Sequence, residues 1–188
     1  VELSNKNTNN FCGIDIRNLT FIGEGRQGRA YYLPKDKVIK VFKSKKSCKN
    51  QLFILKHSSN SKFFPKVYDY DNYSIVMEFI KGITLKEYLK SNNLSKNLSL
   101  QLVNLINEFE KLGFTRLDIR LNHIYVQPDE SVRIIDPRDN FRIIQPFPKL
   151  MLKGLFRLNK LNDFFSLIKD DYPDKFSKWQ SMWKTYKA

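Results

Sequence analysis

At 188 residues the chain can form one domain or two small lobes, and no more. Its 33 basic and 19 acidic residues leave a net charge of +14, and two distant cysteines, Cys12 and Cys48, support neither a disulfide framework nor a thiolate zinc site. Apolar residues make up 41%, with 15 Phe and 9 Tyr, enough for a core, yet no apolar run approaches the roughly 20 residues of a membrane helix. The start, VELSNKNTNN, carries no signal-like apolar stretch, so a cytoplasmic protein without a membrane partner is expected. The basic residues are spread along the chain, with one cluster at Lys43, Lys45, Lys46 and Lys49. No aromatic-interleaved signature accompanies them, so a solvated lysine-rich surface is favoured over a nucleic-acid partner.

Residues 1–18 are Asn-rich and read as a flexible arm. A β-type run at 19–22 breaks at GEGRQG and resumes at 30–33; Pro34-Lys35-Asp36 then turns the chain into a strand at 38–42. A helix around 51–56 offers Leu52, Phe53, Ile54 and Leu55 as an apolar face. Residues 67–70 and 73–79 form a strand pair about Asp71-Asn72.

After Gly82 the period changes. Thr84 is placed to cap a short helix through Leu85, Tyr88 and Leu89. Residues 98–112 carry a 3.6-residue stripe, Leu102, Leu105, Ile106, Phe109 and Leu112, ended by Gly113. Two short apolar runs, 124–126 and 132–135, flank a turn at Gln127-Pro128-Asp129-Glu130 and read as a hairpin. Helices are expected at 150–157, 161–169 and 173–186. The fold class is therefore α+β: a small antiparallel β-rich lobe with one helix, about residues 19–80, then a mostly helical, minimal lobe, about 81–188.

Chemistry concentrates between Thr115 and Asp139, in TRLDIRLNHIYVQPDESVRIIDPRD. A hairpin brings Asp118, in the loop before its first strand, near Asp136, just after its second. Two acids at one open end can hold a metal ion and position a hydroxyl, as phosphoryl transfer requires. Gly23, Gly25 and Gly28 stand as G-x-G-x-x-G between two β runs. A Rossmann fingerprint needs a helix there, so strand–loop–strand favours a phosphate-covering flap, with an ordinary glycine hairpin as the alternative. Lys40 lies in the apolar strand VIKVF and needs an anionic partner if it is buried, or faces solvent if the strand is an edge. The run from Tyr73 through Met77, Glu78 and Ile80 is either a nucleotide-binding connector or a strand–loop–helix of no special purpose.

Taken in order, GEGRQG, VIK, MEFIKG, RLDIRLNHIYV and IIDPRD resemble the protein-kinase superfamily over about residues 19–140. The nearest likeness is to small bacterial serine/threonine kinases, and more loosely to RIO-type and lipopolysaccharide-sugar kinases. The resemblance implies a bilobal kinase-like domain over 19–188 that uses ATP with Mg²⁺ or Mn²⁺. It implies that Gly23, Gly25 and Gly28 cover the phosphates and that Lys40 binds them. Met77 takes the gatekeeper place, with the Glu78 carbonyl and Ile80 amide facing adenine. Asp118 orients the acceptor hydroxyl and takes its proton, Arg120 touches the γ-phosphate, and His123 and Asp136 occupy the metal-ligand positions.

Five features depart from that family. Leu117 replaces the arginine of its HRD motif, and Pro137-Arg138 replace the Phe-Gly after the metal-binding Asp. No APE motif follows Asp139. Gln51 stands where a helix glutamate normally pairs with the lysine, and His123 stands in the place of an asparagine. His123 either ligates the metal or only bonds within its loop, and Asn122 can replace it after a one-residue shift. The expected function is transfer of the ATP γ-phosphate to a hydroxyl, as a serine/threonine protein kinase. The alternatives are a degenerate, nucleotide-binding interaction module and a kinase of sugars or other small hydroxyl compounds.

Overall fold

The structure, a computed structural model, describes residues 9–187. They divide into two units: residues 9–59 with Pro65–Phe79, and Asn60–Phe64 with Ile80 onward. The architecture is α+β, with antiparallel sheets and six α-helices among the described residues. None of these helices is long and apolar enough to cross a membrane.

The first unit opens with a hairpin of β1 (Asn10–Phe11) and β2 (Ile14–Asp15) where the sequence suggested a loose arm; residues 1–8 of that arm lie outside the described residues. Its two-residue turn, Cys12-Gly13, has positive φ at both positions (50° and 71°), the backbone of the tight turns that match strand twist. Cysteine is an unusual choice there, which is why the pattern escapes a sequence search for Asn-Gly or Asp-Gly. The turn is tied down by Cys12 N–H donating to Asp71 Oδ2 at 2.8 Å. Phe11, Cys12, Ile14, Ile16 and Leu19 pack on the buried Leu33, Ile39 and Val76, so burial of apolar surface holds this segment. Cys12 and Cys48 are free thiols, and burial pushes the Cys48 thiol up to about 11.

A five-stranded antiparallel sheet follows: β3 (Phe21–Glu24), β4 (Gly28–Leu33), β5 (Lys37–Phe42), β6 (Val67–Tyr70) and β7 (Ser74–Glu78), in the order β3-β4-β5-β7-β6. β5 lies in its interior, so Lys40 is not an edge-strand lysine. Helix α1 (Lys45–His57) begins six residues before the expected start. Ser44 caps it by accepting from Ser47 N–H at 3.2 Å. Lysines in a first turn oppose the helix dipole, which hides this start from a sequence reading. The buried face is Cys48, Gln51, Ile54 and Leu55, whereas Phe53 is 60% exposed and stacks on His57. The expected apolar face was thus rotated, and Gln51 belongs to the true one.

In the second unit β8 (Ile83–Thr84) leads into α2 (Leu85–Ser91), with Thr84 accepting from Glu87 N–H at 3.2 Å. Helix α3 (Lys96–Lys111) buries Leu102, Leu105, Ile106 and Phe109 of the expected stripe and Leu98 besides, while Leu112, the fifth expected member, is the half-buried C-cap. The hairpin of β9 (Ile124–Val126) and β10 (Val132–Ile134) pairs antiparallel, and β8 adds to β9 as a third strand. Helices α4 (Lys149–Arg157), α5 (Leu161–Ile168) and α6 (Pro173–Lys187) complete this unit. α5 packs between them and α3 through Leu161, Phe164 and Ile168.

Candidate functional site

In the first unit the glycines separate by role. A Cβ on Gly28 would sit 2.0 Å from the Val41 carbonyl oxygen of the paired strand, so close strand approach alone requires glycine there. Gly23 and Gly25 have open space around the Cβ position, and neither has a positive φ. Their being glycine has no packing cause. Gly28→Ala should therefore cost about 1–3 kcal/mol through forced backbone shifts, as read by thermal melting. Gly23→Ala and Gly25→Ala should cost far less than Gly28→Ala, and equal losses at all three would refute this division.

Lys40 is 6% exposed. Its ammonium donates to Gln51 Oε1 at 2.8 Å and lies 4.8 Å from the Phe42 ring centroid. Gln51 is 1% exposed, and its Nε2 has no hydrogen-bond partner among the described residues. Gln51 is a neutral amide, so this hydrogen bond brings no compensating negative charge to the ammonium. Met77 is buried in β7, Glu78 closes that strand with its N–H on the Lys66 carbonyl at 2.8 Å, and Ile80 opens the second unit.

In the second unit the open end of the β9–β10 hairpin carries the acids. Residues Leu121–His123 form a single 3₁₀ turn that runs directly into β9. Ile135 N–H donates to the His123 carbonyl at 2.9 Å, closing the ladder one residue before Asp136. Asp136 adopts a left-handed backbone (φ 53°), which Asp tolerates better than most residues. Asp118, Arg120, His123 and Asp136 all line one small cavity of about 30 Å³. That is room for a water or an ion, not for a nucleotide.

Asp118 is 8% exposed, and its Oδ1 accepts from Leu150 N–H, at the start of α4, at 2.7 Å. Pro148, at the cap position, supplies no side-chain hydrogen bond, so Asp118 does the capping from 32 residues away. Burial pushes its carboxyl above the ordinary value; the Leu150 N–H, the Arg116 charge, and the Ile119 and Met151 N–H groups pull it back. Burial also raises the Tyr125 phenol, with the Asp136 charge adding to the effect.

Two residues escape sequence reasoning. Arg116, one position before the unexpected Leu117, brings a cation into reach of Asp118 and donates to the Arg138 carbonyl at 3.4 Å. Asn140 lines the same cavity, is 3% exposed, and has an Oδ1 with no partner among the described residues. Its carbonyl accepts from Thr115 N–H (2.9 Å) and Arg116 N–H (3.1 Å), holding the loop before Asp118. Arg116 could have been found by its place beside the loop acid; nothing in the sequence points to Asn140.

Among the described residues no three His, Cys, Asp or Glu side chains are grouped to hold a metal by themselves. The Asp136 carboxylate fits a magnesium ion arriving with phosphates, since that ion keeps waters and takes only one or two protein carboxylates, whereas the His123 imidazole suits Zn²⁺ or Mn²⁺ better.

No family model matches the chain. It is similar to the "Putative serine/threonine-protein kinase YrzF" of Bacillus subtilis (strain 168), at 27% identity over 124 residues. The match covers 63% of this chain and 58% of that relative, so the chain spans less than two thirds of its length. The similarity supports a kinase-like family.

Proposed function

We propose that the chain is a phosphotransferase that moves the γ-phosphate of ATP to a hydroxyl of a protein serine or threonine. The observation that carries this reading is the convergence of Asp118, Arg120, His123 and Asp136 on one small cavity in the second unit. In this reading residues 19–188 work as one catalytic domain. Gly23, Gly25 and Gly28 cover the phosphates, and the Lys40 ammonium neutralises them. Met77, the Glu78 carbonyl and the Ile80 amide bound the adenine.

Asp118 has two oxygens, and one is committed to Leu150 N–H. The other accepts the acceptor's proton as its oxygen attacks. Burial raises the basicity of this carboxylate, which favours that transfer near neutral pH. Arg120 offsets the negative charge that builds on the transferred group. Asp136, with His123 or Asn122, holds Mg²⁺ or Mn²⁺; when bound, the ion neutralises phosphate charge and orients it.

Thermal melting with ATP tests the reading. With Mg²⁺ or Mn²⁺ present at a hundredfold excess over Kd, the midpoint should rise by about 5–10 °C. No rise with either metal sinks the nucleotide reading. One observation favours a second reading, an interaction module without transfer: Asp118 already has a structural task as the cap of α4. A rise with ATP but no transfer of labelled phosphate to any acceptor would select that reading.

A further inference from the structure

Beside the Asp118 cavity lies a second, larger concavity of about 400 Å³, wholly within the second unit. Its charged lining is entirely basic: Lys86 from α2, Arg120 from the loop after Asp118, and Lys153 and Arg157 from α4. Arg120 lines both concavities, so the groove adjoins the cavity that holds Asp118.

What distinguishes the groove is that four cations line one concavity with no acid among its lining residues. Some cations elsewhere find acids: Lys43 and Arg29 with Glu24, Lys90 with Glu87, Lys96 with Asp171 and Lys175 with Glu110. None of the four groove cations is in an ion pair among the described residues. Helix α4, KLMLKGLFR, contains no acid and places Lys149, Lys153 and Arg157 at every fourth position. Like charges four apart share one face and repel, so this stripe costs helix stability unless an anion sits on it. The stripe is also supported from behind. The Tyr186 ring lies 3.9 Å from Lys149 Nζ, and its hydroxyl is 3.2 Å from Lys153 Nζ.

We propose that this groove binds an acidic segment of the acceptor polypeptide, flanking the hydroxyl presented to Asp118; the proposal rests on the phosphotransferase reading. Positions four apart on a helix are about 6 Å apart along its axis. Alternate side chains of an extended peptide are about 6.7 Å apart. Asp or Glu at alternate positions therefore matches Lys153 and Arg157 one to one. No aromatic ring lines the groove, so the stacking platform that single-stranded nucleic acid uses is missing.

The test measures binding to the whole chain without nucleotide, by fluorescence anisotropy. The probes are a serine peptide flanked by alternating Glu, the same peptide with Gln for Glu, an oligouridylate and inorganic phosphate as competitor. The acidic peptide should bind at least about tenfold tighter than its Gln counterpart and weaken steeply with salt. The double variant Lys153→Glu/Arg157→Glu should lose at least about tenfold in affinity. Lys153→Gln/Arg157→Gln, which carries less charge change should the first fail to fold, should lose in the same direction. Equal binding of both peptides, unchanged binding by the variants, or tighter binding of oligouridylate or of phosphate alone overturns the proposal. Acidic-peptide binding without any transfer leaves the groove standing and removes the phosphotransferase reading instead.

Discussion

Asp118→Asn should lower the rate of phosphate transfer by about 10²–10⁴-fold while leaving the melting temperature unchanged or higher. Both halves follow from the same geometry. The amide oxygen can still accept from Leu150 N–H, so α4 keeps its cap. The amide cannot take a proton, so the acceptor hydroxyl loses its base. Burial sets the sign of the stability change. Because the folded-state pKa is raised, the unfolded chain releases this proton first as pH rises. Ionisation at Asp118 then opposes folding above the unfolded value, and that cost is fully present once pH exceeds the raised folded value. Removing the charge removes the cost. Asp118→Ala, by contrast, also removes the cap and should lose about 1 kcal/mol. In wild type the acid limb of the rate profile should sit above the ordinary carboxylate pKa, because the ionised form is required. Asp136→Asn separates the two acids: it should abolish the metal-dependent part of the ATP melting shift, which Asp118→Asn retains. Transfer within about tenfold of wild type in Asp118→Asn would remove this residue from the chemistry.

The second unit was more legible than the first, for physical reasons. Helix α3 shows its register because five apolar residues repeat at 3.6 spacing on a polar background. The β9–β10 hairpin shows because its runs are bounded by a Pro-Asp turn. The start of α1 was hidden because Lys45 and Lys46 are poor first-turn residues; tertiary burial of Cys48 and Gln51 overrides that preference. The β1–β2 hairpin was hidden by a cysteine in a left-handed turn, a conformation fixed by Asp71 rather than by local propensity. At the site, Asp118 and Asp136 could be nominated from spacing, because a hairpin converts sequence distance into proximity, whereas Arg120 and His123 were implied by the kinase resemblance. The capping of α4 by Asp118 could not, since its partner is a backbone N–H that any residue at position 150 would supply. Gln51 lies between these cases. Its contact with Lys40 was anticipated from register, but its complete burial and unpartnered amide nitrogen were not.

That pair supports the other large expectation. Lys40→Met removes the donor to Gln51 and leaves a buried carbonyl oxygen without it, beside an amide nitrogen that already lacks a partner. Stranding such a group costs about 1–3 kcal/mol, or a fall of about 2–12 °C in melting temperature for a chain of this size. Gln51→Met removes one acceptor from a buried ammonium and should cost a similar amount, about 1.5–3 kcal/mol. Replacing both should restore most of the loss, since an apolar pair of similar shape needs no hydrogen bond. The double variant should therefore melt near wild type yet show no ATP-dependent shift, because the phosphates have lost their cation. A double variant that is as unstable as the sum of the singles would mean that the pair serves the fold. A double variant that still responds to ATP would mean that Lys40 is not the phosphate ligand. Recovery of stability without recovery of binding would assign Lys40 to the nucleotide rather than to the fold.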